Sequence, residues 1–209
     1  MKLACAVAAM TLVLTPANAV EPFGLATRPS QSAGLLTIWY DLQTELAKDE
    51  LVITRCRTDP NCDSPAAQRF IAIIDEVRRY SGRRMIGHLN RAINGIIKST
   101  RAPVPWLPPL AALDRPGDCK SYAIAKYLAL GEAGIAASDR RLVMVRSASR
   151  PTEIHLVVLV RDGERWLILD NRTLILVDSI AAHQYVPLNE FDASGVRDFG
   201  PPLRPIEDG

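Results

Sequence analysis

The chain has almost no excess of charge of either sign: 25 Lys and Arg stand against 23 Asp and Glu in 209 residues, a formal net charge of +2. So even a balance gives no electrostatic drive towards nucleic acid or an anionic membrane surface, and neither is expected as a partner. Histidine is scarce. The three, His88, His155 and His183, lie far apart with no ligand spacing to one another or to the cysteines, which argues against a zinc-type centre. Beyond the N-terminus every long apolar stretch is broken by charges, so no transmembrane helix is expected. Internal repeats and low-complexity linkers are absent too, and the length suits one ordinary domain with room for a core.

Residues 1–19 read as a secretory signal peptide, with Lys2, an apolar run through Leu12 to Leu14, Pro16, and Ala17-Asn18-Ala19 as a small-x-small cleavage site. The remaining domain, 20–209, ends in a Pro-rich tail, Pro201-Pro202-Leu203-Arg204-Pro205. Cys5 leaves with the signal, so three of the four cysteines stay, and an odd number leaves one unpaired. Cys56 and Cys62 bracket Arg57-Thr58-Asp59-Pro60-Asn61, a turn-rich loop short enough to join two thiols, and are paired as a disulfide. Cys119 is then free. In an oxidising compartment such a thiol is either functional or an inert buried residue.

The first half of the domain has helical periodicity. Residues 35–46 carry Leu36, Trp39 and Tyr40; Ser64-Pro65 starts a helix whose stripe is Phe70, Ile73, Ile74 and Val77, ended by Ser81-Gly82. A third helix covers about 84–99 with Ile86, Leu89, Ile93, Ile96 and Ile97 inward. On its flank Asn90 and Asn94 either reach a cleft or are solvated, and His88 reads as a surface residue. Pro103, Pro105, Pro108 and Pro109 around Trp106 predict an extended, non-helical 102–114. After residue 140 the period changes to two, and 141–146, 153–160, 165–170 and 174–177 read as strands. Helices followed by an antiparallel sheet make the class α+β.

Two stretches carry chemistry. In Pro116-Gly117-Asp118-Cys119 an N-cap residue precedes a helix marked by Tyr122, Ala125, Leu128 and Ala129 and stopped at Gly134, so Cys119 sits in the first turn. There the helix N-terminus and Lys120 favour the thiolate. In 153–171, Asp162-Gly163 is a hairpin turn signal; with those two in the turn, His155 falls opposite Asp170, Val157 opposite Ile168 and Leu159 opposite Trp166. A His–Asp pair at the end of an apolar hairpin is either a structural hydrogen bond or, with Cys119, an acyl-transfer site. In the second case Asp170 fixes the His155 tautomer, and His155 takes the thiol proton and returns it to the leaving amine. His183 lies beyond the paired strands and reads as a loop residue.

Gly117-Asp118-Cys119-Lys120-Ser121-Tyr122-Ala123-Ile124-Ala125-Lys126, the His155 strand and Trp166-Leu167-Ile168-Leu169-Asp170-Asn171 together resemble the bacterial transglutaminase-like cysteine proteinases. The Cys56 to Cys62 loop, Asn90-Arg91-Ala92-Ile93-Asn94 and Trp106-Leu107-Pro108-Pro109-Leu110 match as well, so the likeness spans about 35–195. It implies a papain-like or transglutaminase-like fold, a Cys119, His155, Asp170 triad, and a periplasmic endopeptidase working through a thioester. Trp106, Asn90 and Asn94 become candidates for the substrate cleft or oxyanion site. The best-understood branch of the family clips a large surface adhesin and so releases biofilm. It needs calcium held by acidic residues flanking the nucleophile, and an inner-membrane cyclic-di-GMP receptor sequesters it. An adhesin substrate, such a receptor, and calcium at Asp118 are therefore implied, with one departure. Lys120 and Ser121 stand where that branch has acidic residues, and an ammonium repels calcium. The same triad also serves a transglutaminase or amidase, and a catalytically silent interaction domain would keep the fold.

Overall fold

A computed structural model describes residues 21–200; the signal-peptide and Pro-rich-tail readings lie outside the described residues. Strand β1 (Thr27–Pro29) precedes five helices: α1 (Ala33–Thr58), α2 (Pro65–Val77), α3 (Gly82–Ile96), α4 (Pro109–Asp114) and α5 (Cys119–Glu132). Six strands follow: β2 (Arg140–Ser147), β3 (Ile154–Asp162), β4 (Arg165–Leu169), β5 (Val177–Asp178), β6 (Tyr185–Asp192) and β7 (Gly195–Phe199). They form one antiparallel sheet in the order β1-β7-β6-β2-β3-β4-β5, and the class is α+β.

Local chemistry starts the helices. Ser64 Oγ accepts the Ala67 N–H at 3.3 Å and Pro65 takes the first helical position, as expected. Helix α1 is far longer than 35–46 and buries Trp39, Leu42, Leu46, Asp49 and Ile53; Leu36 and Tyr40, counted on its apolar face, are exposed, which is why the period looked loose. Cys56, in its last turn, is bonded to Cys62 with the Cα atoms 5.0 Å apart. Helix α3 stops at Ile96, short of 99, because Ile97 turns to extended backbone and Ser99 then bridges to Gly117. The proline segment does contain a helix. Pro108 is the N-cap and Pro109 the first residue of α4, positions where the missing N–H costs nothing, and Asp49 Oδ2 accepts the Leu110 N–H at 2.8 Å.

Helix α5 is the centre of the molecule. Every residue from Ser121 to Leu130 is buried, with α2, α3 and α4 on one side and β2 and β3 on the other. A helix apolar nearly all round is buried all round, which fits its composition. A smaller cluster, including Val143, Val145, Val157, Leu159, Trp166 and Ile168, covers the far face of the sheet.

The β3–β4 hairpin differs from the expected register. Asp162 pairs with Arg165, so the turn is Gly163-Glu164, with Gly163 supplying the positive φ (64°) at the first turn position. Leu159 therefore pairs with Ile168 and Arg161 with Trp166, and the ladder ends at Val158 and Leu169. His155 and Asp170 are not directly opposite. The displacement is two residues, so each side chain keeps its face. Of 174–177 only Val177 is strand, and Leu174 and Ile175 are exposed loop.

Candidate active site

Cys119 opens α5. Asp118 caps the helix, its Oδ1 accepting the Lys120 N–H at 3.0 Å. Gly117 is needed one step earlier: a Cβ there would collide with Ser121, and the Gly117 N–H donates to Lys98 O at 2.8 Å. The chain thus enters the helix pressed against its own first turn, and the half-buried thiol is fixed where the helix meets β3.

His155 and Asp170 are 1% and 2% exposed. His155 Nε2 lies 2.8 Å from Asp170 Oδ1. Burial raises the Asp170 pKa, but hydrogen bonds from His155, Tyr185 and the Arg172 backbone and the imidazolium charge outweigh it, holding the carboxyl well below its usual range. An ionised carboxylate only accepts, so Nε2 carries the proton and donates, and Nδ1 is the basic nitrogen. Nδ1 is buried and has no hydrogen bond among the described residues. The thiol feels the ring. Burial pushes the Cys119 pKa up, while interactions with the His155 ring, the Leu156 backbone and the His155 charge bring it below an ordinary thiol's. For His155 burial acts downward, and the Asp170 hydrogen bond, with the Asp170 and Cys119 charges, raises it above the ordinary value. Both shifts favour a thiolate–imidazolium pair.

Asp170 follows the last residue of β4 and is held from three further directions. Tyr185 of β6 donates its hydroxyl to Oδ2, the Arg172 N–H donates to Oδ1 at 3.0 Å, and Asn94 Nδ2 donates to the Asp170 carbonyl at 2.9 Å. Asn90 is fully buried and donates to Thr173 O at 3.3 Å. Both asparagines thus tie α3 to the 170–173 loop, and Asn90 is not solvated. Trp106 is half-buried, its ring 5.5 Å from that of Phe191, as part of the main core. His88 stacks on Tyr80 at 3.9 Å and His183 is exposed after a short turn. Tyr185 escaped sequence reading because β6 reaches this place only by pairing with β2, a non-local contact with no local signal.

Asp118, where calcium was implied, is already engaged. Its Oδ2 accepts from the Lys120 ammonium and, at 3.4 Å, from the Val104 N–H. No group of three or more His, Cys, Asp and Glu is disposed for a metal among the described residues. The residues at Asp118 do not fit a calcium cage, since Lys120 stands where the cation would.

A thiol at a helix start near a carboxylate-held imidazole is an arrangement suited to acyl transfer, and comparison gives the class, a transglutaminase-like cysteine peptidase. The family model of the bacterial transglutaminase-like cysteine proteinases matches residues 57–191, well over half of the chain, and the protein belongs to that family. Among solved structures, Legionella pneumophila LapG in its calcium-bound form is similar at 20% identity and TM-score 0.58, covering 72% of this chain and 87% of that one. The EGTA-treated form gives 20% identity and TM-score 0.57, covering 73% and 89%. No curated protein sequence matches significantly. The fold is papain-like or transglutaminase-like, with the Cys119 helix packed on the antiparallel sheet. No described helix is long and apolar enough to cross a membrane.

Proposed function

We propose that the protein is an exported endopeptidase that cuts a protein substrate through a Cys119 thioester, with His155 as base and acid and Asp170 as its orienter. The observation that carries this reading is the buried 2.8 Å bond from His155 Nε2 to Asp170, which leaves Nδ1 as the basic nitrogen of a ring that interacts with the one free thiol among the described residues. His155 takes the thiol proton, the thiolate attacks the scissile carbonyl, and the imidazolium protonates the leaving amine. Water activated by the same ring then hydrolyses the thioester. The Cys119 backbone N–H, at the first helical position and so without an acceptor four residues back, serves as an oxyanion donor.

On this reading residues 1–19 direct export to the periplasm. The substrate is a cell-surface protein such as an adhesin, and an inner-membrane receptor is the regulator to seek; both rest on the family resemblance. Lys120 supplies positive charge at Asp118, so calcium is not required there. The test is to incubate the purified protein with candidate surface proteins and read new N-termini against incorporation of a fluorescent amine into Gln. New N-termini absent in Cys119→Ala support the endopeptidase. Amine incorporation alone would make it a transglutaminase, and neither product from any candidate, with Cys119 alkylated no faster than a free thiol, would mean a silent domain.

A further inference from the structure

Helix α3 holds the segment after β4 along its length. Asn94 donates to Asp170 O at 2.9 Å, Asn90 to Thr173 O at 3.3 Å and the Arg83 guanidinium to Leu176 O at 3.0 Å. Positions 83, 90 and 94 share one face of a helix, so the chain from Asp170 to Leu176 runs back along α3. Beside Arg83 this leaves an open groove of about 410 Å³, walled by Arg84, His88 and Arg91 of α3 and by Leu174 and Ile175 of the loop. Gly87 lines it without a side chain to fill it. The volume is that of an ordinary ligand cleft.

The charge of the groove is all of one sign, on a chain whose net charge is only +2. No Asp or Glu lines it. Arg83, Arg84 and Arg91 form no ion pair among the described residues, whereas Arg57, Arg69, Arg141 and Arg161 each do. Glu76 reaches the Tyr80 hydroxyl at 3.4 Å, but Arg79 already engages it at 2.9 Å. Two of the three guanidiniums are held in place: Arg83 by the Leu176 carbonyl, and Arg84 over the Tyr80 ring, 4.6 Å from its centroid, with His88 stacked on that ring at 3.9 Å. Cations ordered in advance lower the entropic cost of binding an anion. A guanidinium fork matches a carboxylate in two parallel hydrogen bonds. Leu174 and Ile175, 46% and 70% exposed, add an apolar wall beside these charges. The cations line a concavity, which suits a chain laid into it rather than a flat lipid surface.

We propose that this groove docks an acidic segment of a protein partner, an extended stretch in which carboxylates alternate with apolar side chains. The carboxylates meet Arg84, Arg91 and the remaining N–H groups of Arg83, and the apolar side chains meet Leu174 and Ile175. Docking does not depend on the triad reading, although the docked segment lies against the loop that starts at Asp170.

The test is fluorescence anisotropy of the full-length protein with a labelled Glu-Leu-Glu-Leu-Glu peptide, with Gln-Leu-Gln-Leu-Gln under the same label as control. The acidic peptide is expected to bind, more weakly as salt is raised, and the Gln peptide to bind at least about tenfold less tightly. Arg84→Gln with Arg91→Gln is expected to weaken binding about tenfold, Ile175→Ser about threefold, and Arg101→Gln, exposed outside the groove, not at all. Arg91 and Ile175 are exposed and make no hydrogen bond or ion pair among the described residues, so Arg91→Gln and Ile175→Ser keep the Tm and each decides alone should the double variant unfold. Equal binding of the two peptides, or equal losses in the groove and Arg101 variants, overturns the proposal. So does binding to phosphatidylglycerol vesicles without binding to the peptide, which would make this a lipid-facing surface. Self-association in sedimentation that Arg91→Gln abolishes would likewise overturn it, by seating a second copy in the groove. Cys119→Ala is expected to bind the peptide as wild type does, so failure of the catalytic reading and failure of the docking site are read separately.

Discussion

Asp118 and Asp170 flank the same thiol and imidazole, one on the helix start and the other after a strand. Asp170 is buried and takes hydrogen bonds from an imidazole, a phenol and a backbone N–H, so its two oxygens are fixed from β3, β6 and its own loop. Asp118 is half-buried and gives one oxygen to a backbone N–H and the other to the ammonium two residues on. The first arrangement sets the orientation and charge of a ring; the second shapes a backbone turn. An aspartate capping the helix of a thiol is thus not equivalent to one holding an imidazole.

Neutralising each tests that contrast most strongly. Asp170→Asn is expected to lower kcat/KM by about 10²–10⁴-fold, because the amide no longer enforces the Nε2–H tautomer. Asp118→Ala is expected to cost about 1 kcal/mol of stability through the lost cap and less than about tenfold in rate. Comparable losses of kcat/KM in the two variants would erase the distinction. Adding EGTA is expected to leave Cys119 alkylation unchanged, and a clear slowing would put a calcium ion at Asp118 after all.

Gly117→Ala sharpens the helix side. The new methyl meets Ser121, so the first turn must shift, at about 1–3 kcal/mol by urea denaturation and with slower Cys119 alkylation. Tyr185→Phe sharpens the other side. It leaves Asp170 Oδ2 without its phenol donor, and a loss of about 1–2 kcal/mol in stability is expected, with a small rise in the Asp170 pKa. The smallest effect lies away from the site. Burial, opposed by the Leu110 hydrogen bond and helped by Glu45, raises Asp49 to about 6. A raised folded-state pKa means stability fully present below the unfolded value near 4 and lost as pH rises through about 6. Asp49→Asn, which still accepts the Leu110 N–H, is therefore expected to raise Tm above pH 6 by more than it does at pH 4.

Much of this was legible where the signal is local. Ser64-Pro65, Asp118 with Cys119, the Cys56–Cys62 pair and the strand character of 153–160 depend on neighbours in sequence; they appear where the residues indicate, the strand as Ile154–Asp162. Pro108-Pro109 misled because a proline that breaks a helix from within also starts one. The hairpin erred by its turn, since Asp-Gly and Gly-Glu are both plausible two-residue loops and only the whole ladder chooses between them. For Asn90 and Asn94 a cleft and solvent both stood open, because polarity on a helix flank says nothing about which loop will later cover it. Tyr185 gains its meaning only from its bond to Asp170, 15 positions earlier, which nothing in the sequence around either residue signals.

Thr27 and Arg197 meet across 170 positions of chain, and Arg141 meets Glu190 across 49, whereas β3 and β4 close on a two-residue turn. Short loops close at little entropic cost and long ones must wait for it to be repaid. Assembly is therefore expected to begin at the hairpin and to finish at the edge, where β1 docks on β7. Amide-exchange protection should follow the same order, deepest in α5 and β3 and shallowest along β1 and β7. The edge can fray and re-form while the thiol and its imidazole stay in register.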